Sequence, residues 1–350
     1  MKRTHSEAGR GRGELGLLAE IRHRAARDAS HGQKSGLRLG IGDDCALLTP
    51  RAGEELAVTT DLSIDGRHFR LDWHQPEAIG HRVLARGLSD LAAMGARPVA
   101  AFLSLGLPRS LTKAAAGRRR NRSRSWMQRF LDGFLALAEA WETPLAGGDL
   151  AESTLAVVDI VLVGAVARGR ALLRSGAKPG DLLYVTGALG GAAAGLAHLA
   201  EIASSAGAYP PRIPKKQEAL LAPHLYPQPR IAQGLWLQRR GMASAALDLS
   251  DGLSTDLEHL CEESGVAAEI DATALPIHPE ATLAQALHGG EDYELLFTAP
   301  PDTRLPRAIT GVPVTRIGRI LKTRSGRPTI TLISSQGAQP LEPRGWEHFS

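Results

Sequence analysis

Apolar positions recur along this chain in two rhythms, one helical and one alternating, and their order predicts an α/β (α+β) protein. Leu15, Leu18 and Ile21 predict a helix over 14–27, and Leu37 to Ile41 a short strand running into Gly42, Asp43 and Asp44. A β-rich run from Leu56 to Thr60 ends at Asp61 and leads through Gly66 to His68 and Phe69. A helix over 79–94 stops at Gly95 and Pro98, followed by a strand from Ala100 to Leu105. A helix from Trp126 to Trp141, then Gly147-Gly148-Asp149 and a strand from Leu155 to Ala167 complete the first half. Turn formers crowd 168–182, so a domain boundary is expected at 168, separating 14–167 from 168–350 behind a disordered basic tail at 1–13. The second half predicts a strand at 182–186, a helix at 191–203, a Pro-containing loop at 204–215 and a helix near 229–239. Strand Ala245 to Leu249, turn Ser250-Asp251-Gly252 and helix Leu253 to Ser264 follow, then strands near Ala267 to Ile270 and Tyr293 to Thr298. There is no repeat of the tetratricopeptide or ankyrin kind.

Wound at ~100° per residue, the apolar positions of 79–94 fill an arc of about 180°, and Asp90 falls about 20° from Ile79, inside that arc. Asp90 is therefore expected to point inward, where an acid must be paired, protonated or bound to metal. Arg82, Arg86 and Ser89 lie off the arc and read as the helix's polar, solvent-facing side.

Composition narrows the class. With 350 residues, 43% hydrophobic, 22% charged and 38 glycines in no collagen period, the chain is long enough for two packed domains and is not disordered throughout. The net charge of +4 is unevenly placed: residues 1–13 carry +3 and 113–124 carry +6, which leaves −5 on everything else. An acidic body with two basic attachments and 4% aromatics fits an enzyme better than a base-stacking nucleic-acid binder. Cys45 and Cys261 form no CxxC, so a disulfide framework and a thiolate zinc site are not suggested and a cytoplasmic location is expected. No apolar run is long enough to span a bilayer, and nothing behind Lys2 and Arg3 reads as a secretory signal.

The chemical signal is a set of acids beside glycines at predicted strand ends: Asp43, Asp44, Asp61, Asp149, Asp248, Asp251 and Glu291, with Asp90 on its helix. Singly, each Asp-Gly neighbour is an ordinary turn former, and Ser250 or Asp251 would serve as an N-cap for helix 253–264. Jointly, they form an all-oxygen donor set of the kind that suits Mg²⁺ or Mn²⁺ and couples it to nucleotide phosphates. A Walker-A loop, the protein-kinase signatures, HExxH and GxSxG are all absent. Gly187 to Gly195 imitates a dinucleotide fingerprint only loosely and reads as a closely packed helix turn.

Taken in order, Gly40-Ile-Gly-Asp-Asp-Cys-Ala46, Thr59-Thr-Asp61, Leu88-Ser-Asp-Leu-Ala-Ala-Met-Gly95, Gly147-Gly-Asp149, Arg174-Ser-Gly-Ala-Lys-Pro-Gly-Asp181, Asp248-Leu-Ser-Asp-Gly252 and Gly289-Gly-Glu-Asp-Tyr-Glu294 resemble the thiamine-monophosphate kinase family. The likeness spans about residues 14–349 and includes Gly345-Trp-Glu-His-Phe349. It implies a two-domain fold like that of aminoimidazole ribonucleotide synthetase, with the N-terminal sheet pairing into a homodimer barrel. It also implies direct transfer of the ATP γ-phosphoryl group to thiamine monophosphate. By motif, Asp44, Thr59, Thr60, Asp61, Asp90, Asp149, Asp248 and Asp251 resemble the ligands of several Mg²⁺ ions. Gly148, Asp149, Arg174 and Ser250 resemble ATP contacts, and His68, Glu291 and Trp346 resemble the residues that hold the thiamine substrate, Trp346 offering an aromatic face to a cationic ring. No general base is assigned. Segments 113–124 and 204–215 look like extra length relative to the family. Selenophosphate synthetase would want a reactive Cys in residues 1–40, and the hydrogenase-maturation relatives a C-terminal Cys; neither is present. Another ATP-using enzyme of the superfamily, or a non-catalytic nucleotide- or nucleic-acid-binding protein using the basic loop, are the alternative readings. The binding-protein reading predicts salt-sensitive affinity lost on deleting 113–124.

Overall fold

Two sheets, one from each half of the sequence, face a shared helix. The computed structural model describes residues 14–28, 36–113, 124–207, 210–326 and 329–346, so the basic tail, nearly all of the basic loop 113–124, and His348 and Phe349 lie outside the described residues. In chain order the first half comprises α1 (Glu14–Asp28), β1 (Leu37–Leu39), β2 (Leu47–Leu48), β3 (Glu54–Ile64), α2 (Pro76–Ala93), β4 (Arg97–Leu107), α3 (Arg109–Thr112), α4 (Trp126–Ala140), β5 (Leu145–Glu152) and β6 (Val157–Ala167). Proline at the start of α2 needs no hydrogen-bond donor there, and α4 opens with a Ser125–Gln128 capping box.

The first sheet runs β3-β6-β4-β5, antiparallel except for the β4–β5 pair. Its inner face packs Leu103, Leu105, Ile160 and Leu162 against Ile79, Leu84, Leu88 and Leu91 of α2, with Phe130 and Phe134 of α4 behind. Glycine makes the α2–α4 contact possible, because a Cβ on Gly80 would stand 2.0 Å from the Phe130 carbonyl oxygen and one on Gly133 1.8 Å from that of Glu77. Two expectations change here. The β-run at 56–60 continues to Ile64, so Asp61 is mid-strand, and Gly147-Gly148-Asp149, expected at a strand end, is the middle of edge strand β5.

The second half comprises β7 (Leu182–Thr186), α5 (Gly191–Ser204), α6 (Glu218–Leu225), α7 (Ile231–Arg240), β8 (Ala245–Asp248), α8 (Leu253–Ser264), β9 (Val266–Asp271), α9 (Leu283–His288), β10 (Leu295–Ala299), β11 (Ala308–Ile309), β12 (Val312–Lys322), β13 (Ile330–Ser334) and β14 (Gly337–Pro340). Its sheet runs β14-β13-β9-β12-β7-β10-β8 with β11 on β12, all antiparallel but β13–β9. Helix α6 and strands β11 to β14 have no counterpart in the sequence reading. Pro223 inside α6 masks the helix, and Arg316, Gly318 and Arg319 interrupt the alternation of central strand β12. Helix α7 closes on α2, where a Cβ on Gly234 would lie 1.9 Å from the Ala92 carbonyl oxygen. Ala246, Leu295 and Phe297 of the second sheet join the same core as α2. Helix α2 is thus covered from both halves.

Candidate active site

A cavity of about 460 Å³ opens where the two halves meet around α2. Strand β3 brings Asp61 to it, α2 brings Arg86 and Asp90, the end of β8 brings Asp248, and the turn after it brings Ser250 and Asp251. Thr59 Oγ1 donates to Asp90 Oδ2 at 2.5 Å, Ser89 Oγ donates to Asp248 Oδ2 at 2.6 Å, and Arg86 Nη2 lies 3.0 Å from Asp61 Oδ1. Burial, with Asp248 and Asp61 nearby, pushes the Asp90 carboxyl up. Asp248 is pushed up too, by its own burial first and by Asp256 and Asp61. Burial raises Asp61 despite its ion pair with Arg86. Burial is the first cause for all three, outweighing Arg86 beside Asp61 and Arg174 near Asp90 and Asp248.

The inward placement of Asp90 agrees with the helical phase, but the polar side of α2 does not face solvent. Arg82 is 5% exposed and Ser89 fully buried, and Arg86 lines the cavity. The physical reason is the second half of the molecule: His224 of α6 and the Glu291 loop cover Arg82, and Asp248 of β8 covers Ser89. The turn after β8 differs too. Helix α8 starts behind Gly252 without a side-chain cap, and Asp256, in its first turn, accepts from the Asp251 and Gly252 amides at 3.0 and 2.9 Å. Neither Ser250 nor Asp251 is therefore the N-cap, which leaves their side chains to the cavity. Burial, with Asp251 close by, pushes the Asp256 carboxyl up to about 7.

His68, Glu291 and Trp346 line the same cavity. Glu291 and Tyr293 adopt φ of 68° and 51°, a left-handed backbone rare outside glycine. The Glu291 amide donates to Ser250 O at 2.8 Å and the Tyr293 amide to Leu249 O at 2.9 Å, which hold this strained loop. A Cβ on Gly290 would lie 2.5 Å from Ser250 O, so only glycine fits there. Trp346 is half exposed and its amide donates to Asp251 O at 3.0 Å, docking the end of the described chain on the turn after β8.

Other expected residues stand apart. Register places Asp61 in the row Asp61–Ile160–Leu103–Gly148 and Asp149 in the adjacent row Leu62–Asp159–Ser104–Asp149, and adjacent rows face opposite sides of a sheet. Asp149 is exposed on β5, three strands from β3, and Thr60 is exposed on the outer face of β3. Asp44 is exposed in the β1–β2 hairpin, whose Leu37, Ala46 and Leu48 pack on Val99, Ala100, Ala146 and Val163 of that outer face. Arg174 is exposed yet close enough to lower Asp90, Asp248 and Asp256 electrostatically. Among the described residues no three Asp, Glu, His or Cys side chains converge closely enough to hold an ion by themselves. The oxygen donors of Asp61, Asp90 and Asp248 nevertheless suit a hard divalent cation.

Residues 42–167 match the family AIR synthase related protein, N-terminal domain, and residues 178–331 match AIR synthase related protein, C-terminal domain. The thiamine-monophosphate kinase of Escherichia coli (strain K12) is 38% identical over 350 residues, covering 97% of this chain and 98% of its own. The chain belongs to the thiamine-monophosphate kinase family. The crystal structure of thiamine-monophosphate kinase from Stenotrophomonas maltophilia K279a aligns with a TM-score of 0.74 and 38% identity, covering 91% of this chain and 96% of that one. AaThiL complexed with AMPPCP and TMP aligns with a TM-score of 0.71 and 30% identity, over 96% and 97%. Membership accords with a cavity that joins an acidic wall to an aromatic and carboxylate wall. Sequence reasoning missed Arg82, Arg86 and Asp256, and also His74 and His224, which line the cavity. Positions 82, 86 and 89, one stripe of α2, were the available signal.

Proposed function

We propose that this chain transfers the γ-phosphoryl group of ATP directly to the phosphate of thiamine monophosphate, giving thiamine diphosphate and ADP. The observation that carries this reading is the cavity lined together by Asp61, Asp90, Asp248, His68, Glu291 and Trp346. Joining two anionic phosphates needs charge neutralisation and in-line positioning more than a strong base, and no residue is assigned as a base. Asp61, Asp90, Asp248 and Asp251, with Thr59, would hold Mg²⁺, which when bound supplies positive charge to phosphate oxygens. Arg174 and Ser250 lie where an anionic nucleotide would meet them, and Gly148 and Asp149 complete the proposed nucleotide contacts. Trp346 offers a flat π face to the thiazolium, and Glu291 offers a carboxylate to the positive, amine-bearing acceptor.

The placement of Asp149 favours a homodimer. β3 and β5 are both edges of the first sheet, roughly 14 Å apart across three strand spacings. On the outer face of β3, Leu56, Val58 and Leu62 are 43%, 62% and 49% exposed. A second copy laying its β5 along β3 would cover this stripe and bring its own Asp149 beside Thr60 and Asp61, with its hairpin carrying Asp44 on the shared outer face. In this reading 14–167 is the nucleotide-binding and dimerising domain and 168–350 the second domain. The setting is cytoplasmic, in keeping with the unpaired Cys45 and Cys261. No described helix is long and apolar enough to cross a membrane.

The test is incubation of the purified chain with ATP, Mg²⁺ and thiamine monophosphate, with free thiamine in parallel. Thiamine diphosphate from the monophosphate alone is expected. A folded, ATP-binding protein that makes none would redirect the search to another phosphoryl acceptor.

A further inference from the structure

Arg82 leaves α2 inside the molecule and reaches across to the second half. Its Nη2 lies 2.7 and 2.9 Å from the two carboxylate oxygens of Glu291 and donates to the His68 carbonyl at 3.2 Å. Its Nη1 donates to the His224 carbonyl on α6 and lies 2.9 Å from His224 Nδ1. One guanidinium therefore joins α2, the backbone of His68, helix α6 and the strained Glu291 loop. The Arg82 side chain is 6% exposed while that of Glu291 is 27% exposed, so the arginine lies behind the carboxylate and the carboxylate faces the cavity.

Behind the ion pair lies a chain of rings. His224 Nε2 and His74 Nε2 are 3.0 Å apart, and His74 Nδ1 is 3.2 Å from the Arg70 carbonyl. Arg82 Nη1 meets the His224 ring from its face, 2.9 Å from Nδ1 and 3.3 Å from Nε2. On the other side of the ring pair, His74 Nδ1 also accepts from the Arg70 amide at 3.1 Å. Burial, with Arg82 beside it, pushes His74 down to about 3, and the same causes lower His224, so both rings stay neutral at physiological pH. Burial alone would raise Glu291, but Arg82 and then Arg86 hold it below the usual carboxylate value.

We propose that Arg82 is the positioning residue for acceptor recognition: backed by His224 and His74, it fixes the Glu291 carboxylate facing the amine-bearing, cationic half of the acceptor. This rests on the proposed thiamine-monophosphate kinase activity and extends it to residues that never touch the nucleotide. Lysine cannot replace the arginine, because one ammonium cannot span both Glu291 oxygens while also engaging His224.

The experiment compares the full chain with R82K, R82Q, E291Q and the R82K/E291Q pair, reading KM for each substrate, kcat, affinity for AMPPCP and Tm. R82K is expected to raise KM for thiamine monophosphate about tenfold and to leave AMPPCP affinity within about twofold. In the E291Q background the same change is expected to add less than about twofold, because its effect runs through the carboxylate. A merely structural arginine would lower Tm and weaken both substrates alike, which overturns the proposal. Effects of R82K and E291Q that simply multiply also overturn it, leaving the kinase reading intact. Should R82Q fail to fold, R82K and H224Q carry the comparison. No thiamine diphosphate from the unaltered chain would remove the kinase reading itself, before any variant is compared.

Discussion

Helix α2 and strand β3 both pack in the first half of the molecule, and each violates the ordinary rule for its surface in the opposite sense. On α2 the polar residues Arg82 and Ser89 are buried, at 5% and 0% exposure, whereas on β3 the apolar residues Leu56, Val58 and Leu62 stand open. The difference lies in the neighbours. The second half of the chain closes over α2 and turns its polar stripe into the wall of a cavity. Among the described residues nothing closes over Leu56, Val58 and Leu62, and a stripe of that kind is what a partner surface looks like. A misplaced polar stripe thus marks the cavity, and a misplaced apolar stripe marks the surface at which we propose the second copy docks.

The comparison breaks most visibly at Asp90. Asp90→Asn is expected to keep the fold and lower kcat by on the order of 10²–10³-fold, as loss of a group that organises transition-state charge does. Wild-type turnover would remove the buried stripe of α2 from the site. The β3 side is tested by mixing. Asp90→Asn and Asp149→Asn chains, each inactive alone, are expected to recover about a quarter of native activity when unfolded and refolded together, since half of the random dimers then hold one intact site. No recovery would place Asp149 in the site of its own chain. Leu62→Asp, in the same comparison, is expected to shift the protein to a monomer by sedimentation.

Smaller effects sharpen the picture. Trp346→Ala is expected to raise KM for thiamine monophosphate by roughly 5–30-fold, the range of a desolvated cation–π contact, with a smaller change for ATP. Equal changes in both would place Trp346 outside the acceptor site. The smallest effect concerns stability. Asp292 accepts from the Gly190 and Ala192 amides, and burial pushes its carboxyl from 3.8 up to about 7. The folded chain then keeps a proton that the unfolded chain has released, so stability should fall as pH rises from 3.8 through about 7. Thermal melts of Asp292→Asn across that window should show a shallower slope than the native chain; an unchanged slope would assign the loss to the other buried acids.

Much of the site is legible in residue order. The helical phase of 79–94 turned Asp90 inward, and the Asp-Gly clusters marked Asp61, Asp248 and Glu291, which the cavity brings together. The reasoning attached to them was partly wrong. Strand-end placement is a habit of parallel sheets, and these sheets are mostly antiparallel, so Asp61 lies mid-strand and Asp149 within an edge strand. Arg82 showed only as part of the polar stripe of α2, and His74 and His224 were not legible, because they come from the loop before α2 and from α6, the latter hidden behind Pro223.

The sequence by itself determined the alternation of helices and strands through most of the chain, the inward phase of Asp90 and the oxygen-donor chemistry of the acids. All of these follow from local periodicity and side-chain type. Only the tertiary structure decided which polar residues lose water, which acids share a cavity, and that Asp149 lies on the far edge of the sheet from Asp61. Those outcomes depend on contacts between residues tens to hundreds of positions apart, such as Arg82 with Glu291, and no local pattern encodes them.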